Sequence, residues 1–161
     1  MYLQTSEMLR DRRNVELLSQ LRDDPRLNTS ELARRVGMSA PAVRERILRM
    51  EEAGIIRGYR LELDPAALGY PVSAYVRVRP TSGQLPKIAE LARSLPQVVE
   101  CHRVTGEDCF VLKVHLPSIN ELDQVLDQLL TYGQTTTSII QSTPVPSRSL
   151  PLPGDSQIWP T

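Results

Sequence analysis

The sequence predicts an α+β protein built from two unlike parts, a helical first segment followed by a segment that mixes strands with helices. Three observations predict it. Apolar residues recur every three to four positions through residues 8–52 and then alternate singly with polar ones from Val72, so the period changes from helix to strand partway along the chain. A length of 161 residues suits one ordinary domain or two very small ones. With 40% hydrophobic and 24% charged residues the composition is that of a globular chain, which excludes a fibre, a disordered tail and a disulfide-bonded miniprotein.

The helical segment resolves into three helices. Residues 8–21 place Leu9, Arg13, Leu17 and Leu21 on one stripe with Val15 and Leu18 beside it, and Asp23, Asp24 and Pro25 end that helix. A second helix starts at Thr29 or Ser30 under a hydroxyl cap, runs to Val36 and stops at Gly37. The third opens at Ser39 with Pro41 in its first turn, where a missing N–H is tolerated, and continues to about Glu52 before Gly54. Val43, Ile47 and Met50 share one of its faces. Residues 55–63 have the β-branched, alternating character of a short strand or a hairpin around Gly58.

In the second segment Val72, Ala74, Val76 and Val78 alternate with Ser73, Tyr75, Arg77 and Arg79, the mark of a strand in a sheet covered on one face. Residues 86–95 form a helix with Ile88, Leu91 and Leu95 on one side. Residues 98–104 and 109–116 are strands joined by a turn at 106–108, too short for a crossover, so they pair as an antiparallel hairpin. Ser118 and Glu121 have capping-box spacing at the start of a helix carrying Leu122, Val125, Leu126 and Leu129. Residues 135–142 supply the last strand. The order βαββαβ is the ferredoxin-like pattern. Its uncovered face is expected to carry Ser73, Tyr75, Val99, Cys101, Val111 and Ile139, a mixed surface that a partner sheet would cover. Residues 144–161 hold five of the thirteen prolines and read as an extended or disordered tail, within which Trp159 is a candidate for docking on a neighbouring subunit.

Charge divides along the same line. Residues 1–60 hold 12 basic and 9 acidic side chains, net +3, whereas residues 61–161 hold 7 and 10, net −3. Every basic side chain of the first part is arginine, whose planar fork of donors suits phosphates and guanine edges. Residues 29–59 concentrate the signal. Ala33 is small enough for two helices to cross closely, Gly37 turns between them and Val43 packs the second on the first, with Leu32, Val36 and Met38 filling in: the spacing of a helix-turn-helix, followed by a wing at residues 55–63.

Roles follow from chemistry. Ser39 and the free amides at the third helix's N-terminus suit a phosphate. Ala40, Ala42 and Arg44, with Pro41 among them, are candidates to face base edges, Arg44 reading guanine and the alanine methyls meeting thymine. Arg46 and Arg49 are candidates for backbone clamps, and Arg57 and Arg60 sit where a wing touches the flanking backbone. The rival use of these arginines is pairing within the helix, Arg49 with Glu45 or Arg44 with Glu51.

These stretches resemble the Lrp/AsnC (feast/famine) family of transcription regulators. The resemblance rests on residues 17–70, which run from the helix-turn-helix through GIIRGY into LDPAALGY, on PQVVECHRVTGEDCFVLKV at 96–114 and on YGQTTTSII at 132–140. It implies a winged helix-turn-helix domain over residues 1–60, a linker at 61–69, a ferredoxin-like effector-binding and oligomerisation domain over 70–144, and leaves the tail at 145–161 unexplained. It implies recognition of short, roughly palindromic double-stranded DNA sites, homodimers formed through the sheet, and often octamers. It also implies an amino-acid effector held between dimers near the hairpin turn, here Gly106, Glu107, Asp108 and Cys109, with Thr135 and Thr137 of the last strand as hydroxyl donors. Relatives commonly have an aspartate where this chain has Cys109 and an aromatic where it has Asp108, and a one-residue shift on a strand changes faces.

Other classes lose ground. His102 and His115 are the only histidines, no nucleophile-base-acid spacing or glycine-rich phosphate loop occurs, and Cys101 and Cys109 alone give no zinc framework, so no enzyme, metal or cofactor is expected. Scattered aromatics offer no platform for single-stranded RNA. The apolar runs are too short to span a bilayer and the first residues lack an apolar signal core, so a cytoplasmic protein without membrane partners is expected. The alternative reading is a stand-alone small-molecule sensor or architectural oligomer with only non-specific DNA binding.

Overall fold

The computed structural model describes residues 7–155; Trp159 lies outside the described residues. The chain divides into two compact units, one of residues up to Leu61 together with those from Ser147 onward, the other Glu62–Pro146. Among the described residues no helix is long and apolar enough to cross a membrane.

The first unit is built on α1 (Arg12–Asp23), α2 (Thr29–Val36) and α3 (Ala40–Glu52). The stripe expected to begin at residue 8 is interrupted. Residues 7–10 make a helical turn, and then Asp11 takes an extended conformation and accepts the Arg13 N–H on its side chain at 2.9 Å, which starts α1 afresh. The buried stripe of α1 is therefore Asn14, Leu17 and Leu21, while Arg13 is exposed and donates to the Val36 carbonyl at the end of α2. The cap of α2 is Asn28 and not a hydroxyl: its Oδ1 accepts from the Glu31 N–H at 2.9 Å, and Thr29 is already helical. Gly37 closes α2 at φ +62°, a left-handed conformation that a Cβ would strain. Ser39 caps α3 through the Ala42 N–H with Pro41 in the first turn, as expected. Leu17, Leu21, Leu32, Ala33, Val36, Val43 and Met50 form the core of this unit.

No hairpin follows α3. Ile55 and Ile56 donate their N–H groups back to the Met50 carbonyl at 2.9 and 3.1 Å and pack on the core, so the β-branched pair finishes the helix instead of opening a strand. Residues 57–64 then run without strand pairing, and Tyr59, Leu61 and Leu63 are 52%, 82% and 54% exposed. A hairpin needs two facing rows of backbone groups, and here one row remains. Residues 144–155 of the proline-rich tail form no helix or strand and are almost all exposed, but the segment is tied down near its end. Asp155 accepts the Leu152 N–H at 2.8 Å and pairs with Arg22 of α1 at 2.5 Å, and these two contacts hold its carboxyl below the usual range.

The second unit is a four-stranded antiparallel sheet in the order β2-β3-β1-β4, with β1 (Val72–Pro80), β2 (Val98–Arg103), β3 (Phe110–Leu116) and β4 (Gly133–Ile139). Helices α4 (Leu85–Ser94) and α5 (Ile119–Leu130) complete βαββαβ. Ala74, Val76 and Val78 of β1 and Phe110, Leu112, Val114 and Leu116 of β3 meet Ile88, Ala92, Leu122, Val125 and Leu129 in one core. Ser118 caps α5 at the Glu121 N–H. β4 starts two residues earlier than expected because Gly133 can lie against β1: a Cβ there would sit 2.3 Å from the Arg79 carbonyl oxygen.

Which residues face outward differs from strict alternation. A bulge between Val98 and Glu100 adds one residue to β2, after which Glu100 and His102 stand opposite Lys113 and Val111 on the open face and Cys101 stands opposite Leu112 on the helix side. Cys101 lines a small cleft of about 270 Å³ with Ala89, Ala92, Arg93 and Val99, and burial pushes its thiol up. Ile139 pairs with Ala74 and is likewise on the helix side, at the sheet's edge. Ser73, Tyr75 and Val111 are on the open face as expected, joined by Arg77, Arg79, Lys113, His115, Thr136 and Ser138. Cys101 thus leaves the open face to Glu100 and His102, and Ile139 leaves it to Ser138.

Candidate nucleic-acid interface and ligand site

On α3, Val43 and Met50 are buried and Ile47 packs partly on the same core, which fixes the opposite side as the outward one. At about 100° per residue that outward line runs through Pro41, Glu45, Leu48 and Glu52, with Arg44 and Arg49 flanking it about 60–70° to either side. Pro41, Arg44, Glu45, Leu48 and Arg49 are all exposed. Ser39, exposed, precedes the helix as its cap; its Oγ accepts from the Ala42 N–H at 3.4 Å and its own hydroxyl proton stays available to a ligand. Ala40 is half-buried on the core and Ala42 half-buried beside Met8 and Met38, so neither heads the outward line as expected.

The arginines differ in what holds them. Arg44 makes no hydrogen bond or ion pair among the described residues, and the alternative pair with Glu51 does not form. Arg49 pairs with Glu45 at 2.5 Å one turn back, an exposed contact that water competes with. Arg46 is turned toward the first unit's interior. It donates to Asp11 Oδ2 at 2.5 Å and to Asn14 Oδ1 at 2.8 Å, and its hydrogen bond is the main reason the Asp11 carboxyl lies below its ordinary range. Asn14, only 5% exposed, completes its valences by donating to the Met8 carbonyl at 2.9 Å. Arg46 therefore ties α3 to the start of α1 and leaves the solvent face assigned to it from sequence. Arg57 and Arg60 lie exposed on the extended arm after α3, in place of a hairpin wing.

At the hairpin turn, Gly106 has φ +108° and the Val104 N–H meets the Cys109 carbonyl at 2.9 Å. Glu107 and Asp108 reach over the open face to β1: Glu107 pairs with Arg79, and Asp108 lies 3.9 Å from Arg77 and 3.7 Å from Arg79. Cys109 turns the other way and packs on the core, its thiol near the Gly106 and Glu107 carbonyls. Thr135 and Thr137 pair with Val78 and Val76, which puts them on the helix side of edge strand β4. One chain thus brings together Glu107 and Asp108 with Arg77 and Arg79, which the sequence reading did not single out, and does not bring Thr135 and Thr137 to them. The outward alternation of Arg77 and Arg79, combined with antiparallel pairing of β1 and β3, was the signal for that quartet. Among the described residues no three His, Cys, Asp or Glu side chains are grouped to hold a metal.

A helix-turn-helix with an outward, arginine-flanked third helix, joined to a βαββαβ sheet module with a charged hairpin turn, points to a DNA-binding regulator with a regulatory domain. Comparisons with known proteins agree for each part. Residues 10–57 match the winged helix-turn-helix DNA-binding family and residues 73–150 the Lrp/AsnC ligand-binding domain. The chain is 32% identical over 132 residues to the transcriptional regulator LrpC of Bacillus subtilis, covering 82% of this chain and 92% of the relative, and the LrpC structure superposes with a TM-score of 0.78. It is 34% identical to the regulator LrpA of Mycobacterium tuberculosis over 79% of this chain and 87% of that one. A Neisseria meningitidis transcriptional regulator solved in complex with L-Met superposes with a TM-score of 0.80 at 28% identity, covering 88% of this chain and 96% of the other. The chain belongs to the Lrp/AsnC family of DNA-binding transcriptional regulators, and it is a regulator, not an enzyme.

Proposed function

We propose that the chain recognises short, roughly palindromic sites on double-stranded DNA as a homodimer, with one α3 in the major groove of each half-site, and that an amino acid at the hairpin turn modulates the binding. The observation that carries this is the exposed side of α3 at Pro41, Arg44, Leu48 and Arg49, where Arg44 has no hydrogen bond or ion pair among the described residues. Ser39 and the α3 N-terminus meet a phosphate, Arg44 reads guanine, Arg49 exchanges Glu45 for the DNA backbone, and Arg57 and Arg60 follow the flanking phosphates. Arg46 acts through Asp11 and Asn14 as a positioning residue.

Dimerisation is supported by the open sheet face, where Tyr75 and Val111 stand among charges, and by the exposed alternation of Tyr59, Leu61 and Leu63, which has no strand partner among the described residues. Octamers follow from family membership as the further assembly. An amino acid needs a cation for its carboxylate and an anion for its ammonium, and Arg77 and Arg79 beside Glu107 and Asp108 offer both. The Neisseria meningitidis relative's complex with L-Met supports the class of effector. A site between dimers would let Thr135 and Thr137 of another subunit approach such a ligand. Acting on the chromosome, the protein works in the cytoplasm.

Selection of bound duplexes from a random pool by the full chain, repeated with a panel of amino acids, tests this. The expected result is a two-fold-related sequence with half-sites about one helical turn apart, its recovery changed by at least one amino acid. Recovery of no shared sequence would overturn the recognition reading, and indifference to every amino acid would overturn the effector reading.

A further inference from the structure

Leu48 is the one leucine, isoleucine, valine or methionine of α3 that does not join the core. Val43 and Met50 are buried and Ile47 packs partly on them, whereas Leu48 is 51% exposed near the middle of the helix. It lies on the outward line, one turn after Arg44 and Glu45 and next to Arg49. A large apolar side chain in water is unremarkable when scattered on a surface. Here its position is specific: Arg44 and Arg49 flank it on either side, and these two cations would hold the helix against a polyanion, past Glu45 and Glu52 on the same line, while Leu48 pointed at the floor between them.

We propose that Leu48 is a specificity-determining residue that reads a T·A base pair through the 5-methyl group of thymine. The inference rests on α3 being the recognition helix. In the major groove the thymine methyl is the one apolar group that a base pair presents, and an aliphatic side chain has no donor or acceptor with which to read anything else. Contact of a leucine methyl with it removes both from water and so favours thymine over cytosine, whose exocyclic amine Leu48 would leave unpaired. The spacing sets where that thymine lies. Arg44 and Leu48 are four residues apart, about 6 Å along the helix axis, an advance of about one to two base pairs when the helix follows the inclined groove. The thymine therefore stands about one or two base pairs from the guanine that Arg44 reads, in each half-site.

The test uses the full chain and the duplex it selects. Each thymine of a half-site is replaced in turn by uracil, which removes only the methyl group, and affinities are measured for the native protein and for Leu48→Ala, an exposed substitution whose helix content circular dichroism checks. The native protein is expected to lose about 3- to 5-fold at one thymine per half-site, the worth of roughly one buried methyl group, and Leu48→Ala is expected to bind the thymine and uracil duplexes equally. Indifference of the native protein to every thymine-to-uracil change overturns the proposal, as does an unchanged loss in Leu48→Ala. Either failure leaves the recognition-helix reading standing if Arg44→Ala still loses the selected site, whereas failure to select any sequence overturns both.

Discussion

Arginine does opposite work in the two units. On α3, Arg44 has no hydrogen bond or ion pair among the described residues and Arg49 is held by Glu45 on its own helix, so both guanidinium groups can be given to a partner although Glu45, Glu51 and Glu52 are exposed beside them. On β1, Arg77 and Arg79 already face Asp108 and Glu107 of the hairpin turn, so the surface is neutral until something separates the pairs. The first arrangement suits a permanent polyanion such as DNA; the second suits a small zwitterion that replaces both partners at once. What an arginine contributes is decided by the carboxylates that the fold brings to it, and these come from the same helix for Arg49, from the start of α1 for Arg46 and from the hairpin turn for Arg77 and Arg79.

The largest effect should come from the unpaired residue. Arg44→Ala is expected to weaken binding to the selected duplex by about 10- to 100-fold, the range for one bidentate base contact, and random DNA by much less; competition binding at fixed salt measures both. Equal losses would place Arg44 among the phosphate contacts. Next, Arg79→Gln should weaken the most effective amino acid by about tenfold, the worth of one charge-assisted hydrogen bond, read by calorimetric titration. An unchanged affinity would detach the ligand site from β1.

A finer contrast lies within α3. Arg49→Ala is expected to lower the slope of log affinity against log salt by about one, because a phosphate contact is lost, with only a modest change in sequence preference. Arg46→Ala should weaken all duplexes by a few fold with that slope unchanged, since Arg46 is held by Asp11 and Asn14. A reduced slope in Arg46→Ala would show that it leaves Asp11 for the DNA.

The smallest effect concerns the open face of the sheet. His115 hydrogen-bonds Ser73 at 2.6 Å, and burial, with Lys113 adding to it, holds its pKa below the ordinary 6.5; Glu100 opposes this. As pH falls below 6.5 the unfolded chain takes up the proton before the folded one does, so the sheet unit should lose stability on acidification, at no more than about 1.4 kcal/mol per pH unit. Thermal unfolding between pH 7.5 and 5.5 measures the slope, and His115→Asn should flatten it. Equal slopes would remove His115 as the cause.

Much of this was legible in the sequence, for reasons that differ by unit. The helix-turn-helix is written in local spacing: Ala33, Gly37, Ser39 and Val43 act on near neighbours, and each holds the place their spacing predicts. The antiparallel βαββαβ sheet was legible because the hairpin linker is short and the alternation of β1 is clean. What escaped depends on contacts between distant residues or on one-residue shifts. Arg46 is drawn inward by Asp11 and Asn14, more than thirty positions away, and no helical period foretells that. The bulge after Val98 reverses the facing of Cys101, and the pairing of Ile55 and Ile56 with Met50 consumes the start of the expected wing. The quartet at the turn required knowing that β1 neighbours β3. Those are facts of register, set by the assembled sheet.

The central claim is that α3 lies in the major groove with Arg44 at a guanine. Dimethyl sulfate footprinting on the selected duplex tests it directly, because the reagent methylates guanine N7 in the major groove and adenine N3 in the minor groove. The native protein should protect a guanine N7 in each half-site, and Arg44→Ala should lose that protection at concentrations where the duplex is still bound. Protection confined to adenine N3, or guanine protection that persists without Arg44, would contradict it.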